Sequence, residues 1–262
     1  MMGVLGPEGT FSHELAERLF PGRAVLLPTI RQIFAEVEAG RMEGLVPLEN
    51  SEAGGVGATL DGLLSHRIFI TAEAYLEVRH HLAARGPVES ITRIYAHPQT
   101  HEQCSIFLDR LGVEVIPTSS NAASAKEMER HPGSGALVSR FTAAHYGIPI
   151  VQEDVQNSPG NITRFVRIGS KPGACPPCTK CSLLIDPHAD RPGLLHDLLG
   201  VFSARGINLT RIESRPSKRG MGSYVFFIDF AMAPGWEGAV AFLKEITHIK
   251  ELGCYTRLEV PE

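Results

Sequence analysis

Apolar positions recur along this chain with two periods, and the changes between them mark its elements. Residues 2–5 form a short apolar run. A loop reading Gly6-Pro7-Glu8-Gly9-Thr10-Phe11-Ser12 follows, then a helical pattern over 13–20. Thr29 and Gln32 stand at capping-box spacing, ahead of an apolar stripe at Ile33, Phe34 and Val37 that Gly40 closes. A strand over 45–48 carries Glu49-Asn50-Ser51 at its end, and a helix is predicted over 59–64. The alternating run 68–79 is longer than an ordinary strand, which predicts a segment crossing from one lobe to a second. In that second lobe, strands are expected at 94–96, 113–116 and 148–151. Between them fall a helix from His97-Pro98 through Leu108 to Gly112, one over 121–130 capped by Thr118-Ser119-Ser120, and a strand–helix unit over 136–146.

The chain then returns to the first lobe through Asn157-Ser158-Pro159-Gly160, a turn that hands over to the β-favouring run 162–168. On a strand, Thr163 and Phe165 face one way and Arg164 the other, unless a bulge re-aims one of them. This double crossover resembles the periplasmic-binding-protein architecture, with a cleft between lobes. Residues 171–180 are rich in Pro and Gly and read as a linker. Beyond it the order is strand 182–186, helix 192–204, strands 207–214 and 223–230, helix 236–248 and strand 251–260. This βαββαβ order is ferredoxin-like. The expected class is therefore α/β: a two-lobed unit over 1–170 (lobe one 1–75 with 152–170, lobe two 76–151), then a small unit over 181–262.

Composition narrows the function classes. Hydrophobic content of 43% with 21% charge suits a globular protein, and 25 basic against 29 acidic residues give −4, so bulk charge invites no nucleic acid. No apolar run approaches the ~20 residues of a membrane span, and the first residues lack the pattern of a secretory signal. Five Cys without that signal are expected as reduced thiols in the cytoplasm. Cys175, Cys178 and Cys181, with Cys104 or Cys254 as a fourth ligand, have zinc-like spacing; a linker that happens to carry Cys is the preferred reading, and no metal is expected. His80, His81, His97 and His101 lack the acidic partner pattern of a metalloprotease. The loop at 6–12 lacks the Lys of a P-loop and the third Gly of a dinucleotide fingerprint. It can be a plain turn or an anion-binding helix start.

The ordered set Gly6–Ser12, Val46-Pro47-Leu48-Glu49-Asn50-Ser51, His97-Pro98-Gln99 with Gln103-Cys104, Tyr146-Gly147-Ile148, and Asn161-Ile162-Thr163-Arg164-Phe165 resembles the prephenate dehydratase family. Arg191-Pro192-Gly193, Gly206–Thr210 and Ile212–Pro216 resemble an ACT regulatory domain. Two departures stand out: Asn121 where relatives usually place Thr, and Ala96 where Ser is common. No chorismate mutase helices precede Met1, so the resemblance implies a chain without that fused activity.

The implied reaction converts prephenate to phenylpyruvate, needs no cofactor, and is regulated by phenylalanine in a dimer or tetramer. By resemblance Thr163 is the acid or proton relay, and Arg164 meets a carboxylate or braces the cleft. Thr10, Asn50, Ser51, Gln103, Ser119, Ser120, Asn121 and Phe165 would contact substrate. Gly193, Leu194, Leu195, Asn208, Leu209, Ser214, Arg215 and Pro216 would line the effector site. Arogenate dehydratase is the rival within the same chemistry, and an amino-acid-sensing protein without catalysis is the rival outside it.

Overall fold

The structure is a computed structural model that describes residues 1–174, 177–187, 191–217, 219 and 223–261. Its elements run β1 (Met2–Leu5), α1 (Phe11–Leu19), β2 (Ala24–Leu27), α2 (Ile30–Glu38), β3 (Glu43–Asn50), β4 (Gly54–Gly55), α3 (Gly57–Ser65) and β5 (Phe69–Glu77). Then come β6 (His81–Ala84), β7 (Arg93–Ala96), α4 (Pro98–Gln103), α5 (Ser105–Leu111), β8 (Glu114–Pro117), α6 (Asn121–Arg130), β9 (Ser134–Val138), α7 (Arg140–His145) and β10 (Ile150–Gln152). The chain continues through β11 (Ile162–Gly169), β12 (Lys180–Asp186), α8 (Leu194–Ser203), β13 (Leu209–Pro216), β14 (Tyr224–Ala231), α9 (Trp236–Ile246) and β15 (His248–Tyr255).

Three sheets result. The first has the order β2-β1-β3-β11-β5, with β4 hung on β3; the second is β10-β6-β9-β7-β8; the third is β13-β14-β12-β15. In the first, β1 runs parallel to β2 and β3, while β11 lies antiparallel between β3 and β5. The chain thus leaves the first sheet after β5 and returns to its middle through β11. The alternating run 68–79 is one strand of the first sheet, ending at Glu77; β6 begins the second after a short gap. The helix expected from His97 to Gly112 is broken at Cys104, whose φ −119°, ψ 15° is not helical, so α4 and α5 are separate. Strand β2 has no counterpart in the sequence reading.

Most helices open as their caps predict. Thr29, Ser120 and Ser139 each accept a backbone N–H of the first turn of α2, α6 and α7. In α2, Ile30, Ile33, Phe34 and Val37 are buried at i, i+3, i+4 and i+7, one face laid on the first sheet.

The third sheet is not held at arm's length by its linker. One core joins Val46, Ile70, Val166 and Ile168 of the first sheet to Leu184, Val225, Phe227, Leu252 and Tyr255 of the third. Gly253 (φ +123°) lets β15 pass so close to β5 that a Cβ there would sit 2.5 Å from the Ile70 carbonyl oxygen. The segment expected to finish the last strand instead turns onto the first sheet. There Glu73 N–H donates to Thr256 O (3.1 Å) and Leu258 N–H to Glu73 O (2.8 Å).

Candidate active site

The pairing of β11 with β3 sets Thr163 opposite Asn50 and Arg164 opposite Glu49. A bulge on β3 then makes Phe165 face Pro47. The extra residue lies on β3, so β11 keeps its alternation, and Thr163, Phe165, Asn50 and Pro47 all line one cleft of about 580 Å³ between the first and second sheets. Phe165 is buried to 1% exposure and lines the cleft.

Asn50 has no freedom to turn. Its Oδ1 accepts the N–H groups of Glu52 (3.1 Å) and Ala53 (2.9 Å), closing a turn. Its Nδ2 must then point the other way, where it donates to Thr163 Oγ1 at 3.0 Å and to Asn161 Oδ1 at 2.6 Å. Thr163 therefore accepts from Asn50 and keeps its own proton for a ligand. A donor aimed at the hydroxyl oxygen also favours transient negative charge there, which makes that proton easier to lose.

From the second lobe, Gln103, Ser119, Ser120 and Asn121 line the same cleft. Thr100 donates to Asn121 Oδ1 (2.8 Å), which leaves the Asn121 amide N–H groups for a ligand. Gln103 Oε1 lies 2.9 Å from Nε2 of His80, whose pKa burial pushes down to about 4. His97 also lines the cleft, and burial lowers its pKa too. No Arg, Lys, Asp or Glu is among the described lining residues. Positive character comes instead from the starts of α1, α3 and α6, whose residues Thr10 to Ser12, Val56, and Ser120 with Asn121 border it.

Three candidates are placed differently from expectation. Thr10 lines the cleft, but its hydroxyl caps α1: it accepts from His13 N–H and donates to the Leu5 and Pro7 carbonyls (3.2 and 3.1 Å). Ser51 is absent from the lining; its Oγ accepts from Ile162 N–H at 3.0 Å and ties β3 to β11. Arg164 does not reach the cleft, because strand alternation turns it to the opposite face of the sheet. There, 3% exposed, it donates to Glu73 (2.7 Å), Glu49 (3.0 Å), Asp229 (2.6 Å) and the Tyr255 hydroxyl (2.9 Å). Of the two roles left open for it, meeting a substrate carboxylate or bracing the cleft, this position removes the first. Burial opposes its charge, yet Asp229, Tyr255 and Glu73 outweigh that and raise its pKa above the ordinary value. Burial, reinforced by Asp229, likewise raises the Tyr255 phenol.

Asn161 and His80 were not singled out for these roles. Asn161, 3% exposed, orients Asn50 and Ser51, and its place inside the Asn-Ile-Thr-Arg-Phe run was the available signal. From sequence, His80 stands out only as a candidate metal ligand.

Of the effector candidates, Gly193 (φ +80°) opens α8, and Leu194 and Leu195 form its first turn. Asn208 accepts Ala231 N–H just before β13, which contains Leu209, Ser214, Arg215 and Pro216. Arg215 is directed at the first lobe, 3.5 Å from Asp61 Oδ1, rather than held open beside α8. Its neighbour Glu213 sits so close to Gly55 of β4 that a side chain there would displace it. Cys181 and Cys254 form a disulfide between β12 and β15, which corrects the expectation of wholly reduced thiols and removes both from the candidate zinc ligands. Cys175 lies outside the described residues. Among those described, no three His, Cys, Asp or Glu side chains gather as a metal site, and no helix is long and apolar enough to cross a membrane.

A cleft between two α/β lobes, backed by a ferredoxin-like sheet, defines a two-lobed ligand-binding class of protein with a small second unit. Residues 2–173 match the prephenate dehydratase family, and residues 184–235 match the ACT domain. The chain belongs to the prephenate dehydratase family. It is 41% identical over 237 residues to the bifunctional chorismate mutase/prephenate dehydratase of Stutzerimonas stutzeri, covering 87% of this chain and 64% of that one. It thus spans less than two thirds of that relative. The prephenate dehydratase of Bacillus subtilis is 33% identical, with 98% of this chain and 96% of that one covered. The crystal structure of prephenate dehydratase from Arthrobacter aurescens in complex with L-Phe superposes with a TM-score of 0.87 at 30% identity, covering 98% and 90%.

Proposed function

We propose that this chain converts prephenate to phenylpyruvate, carbon dioxide and water, with Thr163 delivering the proton to the departing ring hydroxyl. The observation that carries the reading is the fixed Asn50 amide, which donates to Thr163 Oγ1 and so aims the threonine proton at the cleft. The ring C–O bond breaks as that proton arrives, because hydroxide alone is a poor leaving group. The carboxylate on the same ring leaves as carbon dioxide, and its bonding pair completes the aromatic ring. The proton is restored to Thr163 from water, so the reaction consumes one proton overall.

The dianionic substrate is held without a cationic side chain, by the N–H groups at the starts of α3 and α6 and by the amides of Asn121 and Gln103. Phe11, Pro28, Pro47, Val56 and Phe165 keep the departing carboxylate in apolar surroundings. The residues lining the cleft need no cofactor for this chemistry.

Phenylalanine acts through the third sheet, bound near the start of α8 and the end of β13 in a dimer or tetramer. Its route to the chemistry is short. Arg164 and Glu49, which Asp229 and Arg211 grip from the third sheet, are the sequence neighbours of Thr163 and Asn50. The assay is ultraviolet detection of phenylpyruvate from prephenate, with arogenate in parallel and with or without millimolar phenylalanine. Phenylpyruvate formation that phenylalanine modulates is the expected result. No product from prephenate would refute the catalytic reading, and indifference to phenylalanine the regulatory one.

A further inference from the structure

We propose that His80 is a positioning residue: it binds the carbonyl end of the Gln103 amide and thereby presents the amide N–H₂ end to the substrate. His80 sits between β5 and β6, 2% exposed, and its ring cannot drift. Its own N–H donates to Gln156 Oε1 (3.1 Å), its carbonyl accepts from Val155 N–H (2.9 Å), and its ring meets Phe11 edge-on at 5.7 Å. The Gln103 main chain is held as well, since its backbone carbonyl accepts Asn157 N–H at 2.6 Å.

The polar accounting selects one arrangement. His80 Nε2 lies 2.9 Å from Gln103 Oε1, while His80 Nδ1 is buried with no partner. An amide oxygen only accepts, so Nε2 carries the hydrogen and Nδ1 a bare lone pair. The reverse arrangement, with the Gln103 amide flipped and donating to Nε2, would bury an N–H at Nδ1 with nothing to receive it. Orphaned buried N–H groups are rarer than under-satisfied acceptors. Burial keeps the ring neutral, its pKa lowered to about 4, and the titratable groups facing it are His81 and His97, both themselves lowered by burial. Gln103 is thus a donor in the cleft. The substrate atom it meets is an acceptor, a carboxylate or keto oxygen, and not the hydrogen of the ring hydroxyl.

The consequence for turnover rests on the dehydratase reading, so the test has two arms on the full chain. In the first, ¹⁵N-imidazole spectra at pH 6.5 should show the His80 signal, identified by its absence from His80→Gln, as the neutral Nε2–H tautomer. A neutral Nδ1–H tautomer at His80 would overturn the proposal whatever the substrate is. In the second, His80→Leu should raise KM for prephenate by about tenfold, the loss expected when one hydrogen bond to an anion goes. His80→Gln, whose amide nitrogen can stand in for Nε2, should recover to within about threefold. In a Gln103→Ala background His80→Leu should add less than about twofold, because the two act as one unit. An equal loss in both backgrounds would overturn the proposal. An intact Nε2–H tautomer in a chain that does not turn over prephenate would instead refute the dehydratase reading alone.

Discussion

Replacing Arg164 by Met removes a guanidinium while keeping most of its stem volume, and so isolates the ionic part of the bond between the two halves. In the native chain this group satisfies Glu73 and Asp229, which are 4% and 3% exposed, together with the Tyr255 hydroxyl. Glu73 keeps a second cation, Lys180 at 2.8 Å, and Asp229 keeps only the Ser182 hydroxyl at 2.5 Å. The variant therefore strands mainly one buried carboxylate. Breaking a buried pair by removing one partner costs about 3–5 kcal/mol. At roughly 2 °C per kcal/mol for a chain of this size, the melting temperature should fall by about 6–10 °C near pH 7. Scanning calorimetry of both proteins near pH 7 is the assay. A melting temperature within about 1 °C of the parent would refute the reasoning.

Buried His80 sets an acid limit on stability. Its folded pKa is about 4 against an ordinary 6.5, so the unfolded chain binds the proton first and stability is lost as pH falls from 6.5 to 4. At about 1.4 kcal/mol per pH unit this reaches ~3 kcal/mol. Acid titration of unfolding should lose that part in His80→Gln, while His81 and His97, shifted downward by burial, keep a smaller one. Gly253→Ala drives a methyl against the Ile70 carbonyl where φ is +123°, and should cost at least ~2 kcal/mol of stability by denaturant titration. An unchanged midpoint would mean that β15 and β5 can separate freely.

The sequence carried the parts of this fold whose cause is local. Thr29, Ser120 and the stripe at Ile33, Phe34 and Val37 announce their helices because caps and periodicity act within a turn or two. Thr163, Asn50 and Gln103 were legible through family motifs, and all three line the cleft. Arg164 was not legible, because alternation places it opposite Thr163 without saying which face holds the substrate. That answer lies in Asp229 and Tyr255, far along the chain. The break at Cys104 and the return of residues 256–258 to β5 are likewise fixed by tertiary partners, as is the Cys181–Cys254 bond. That no Arg, Lys, Asp or Glu is among the described lining residues also escaped the sequence. A dianionic substrate suggests Arg, whereas helix starts supply the same sign of potential through backbone groups that no residue type reveals.

The central claim is that the Thr163 proton, held outward by Asn50, enables the ring hydroxyl to leave. Thr163→Val keeps the branched shape and deletes only the hydroxyl, so prephenate turnover by this variant at unchanged melting temperature is the most direct measurement. The account predicts a fall in kcat of at least about a hundredfold, the lower end for losing a proton-transfer group. A kcat within about threefold of the parent, below the effect of losing any such group, would contradict it.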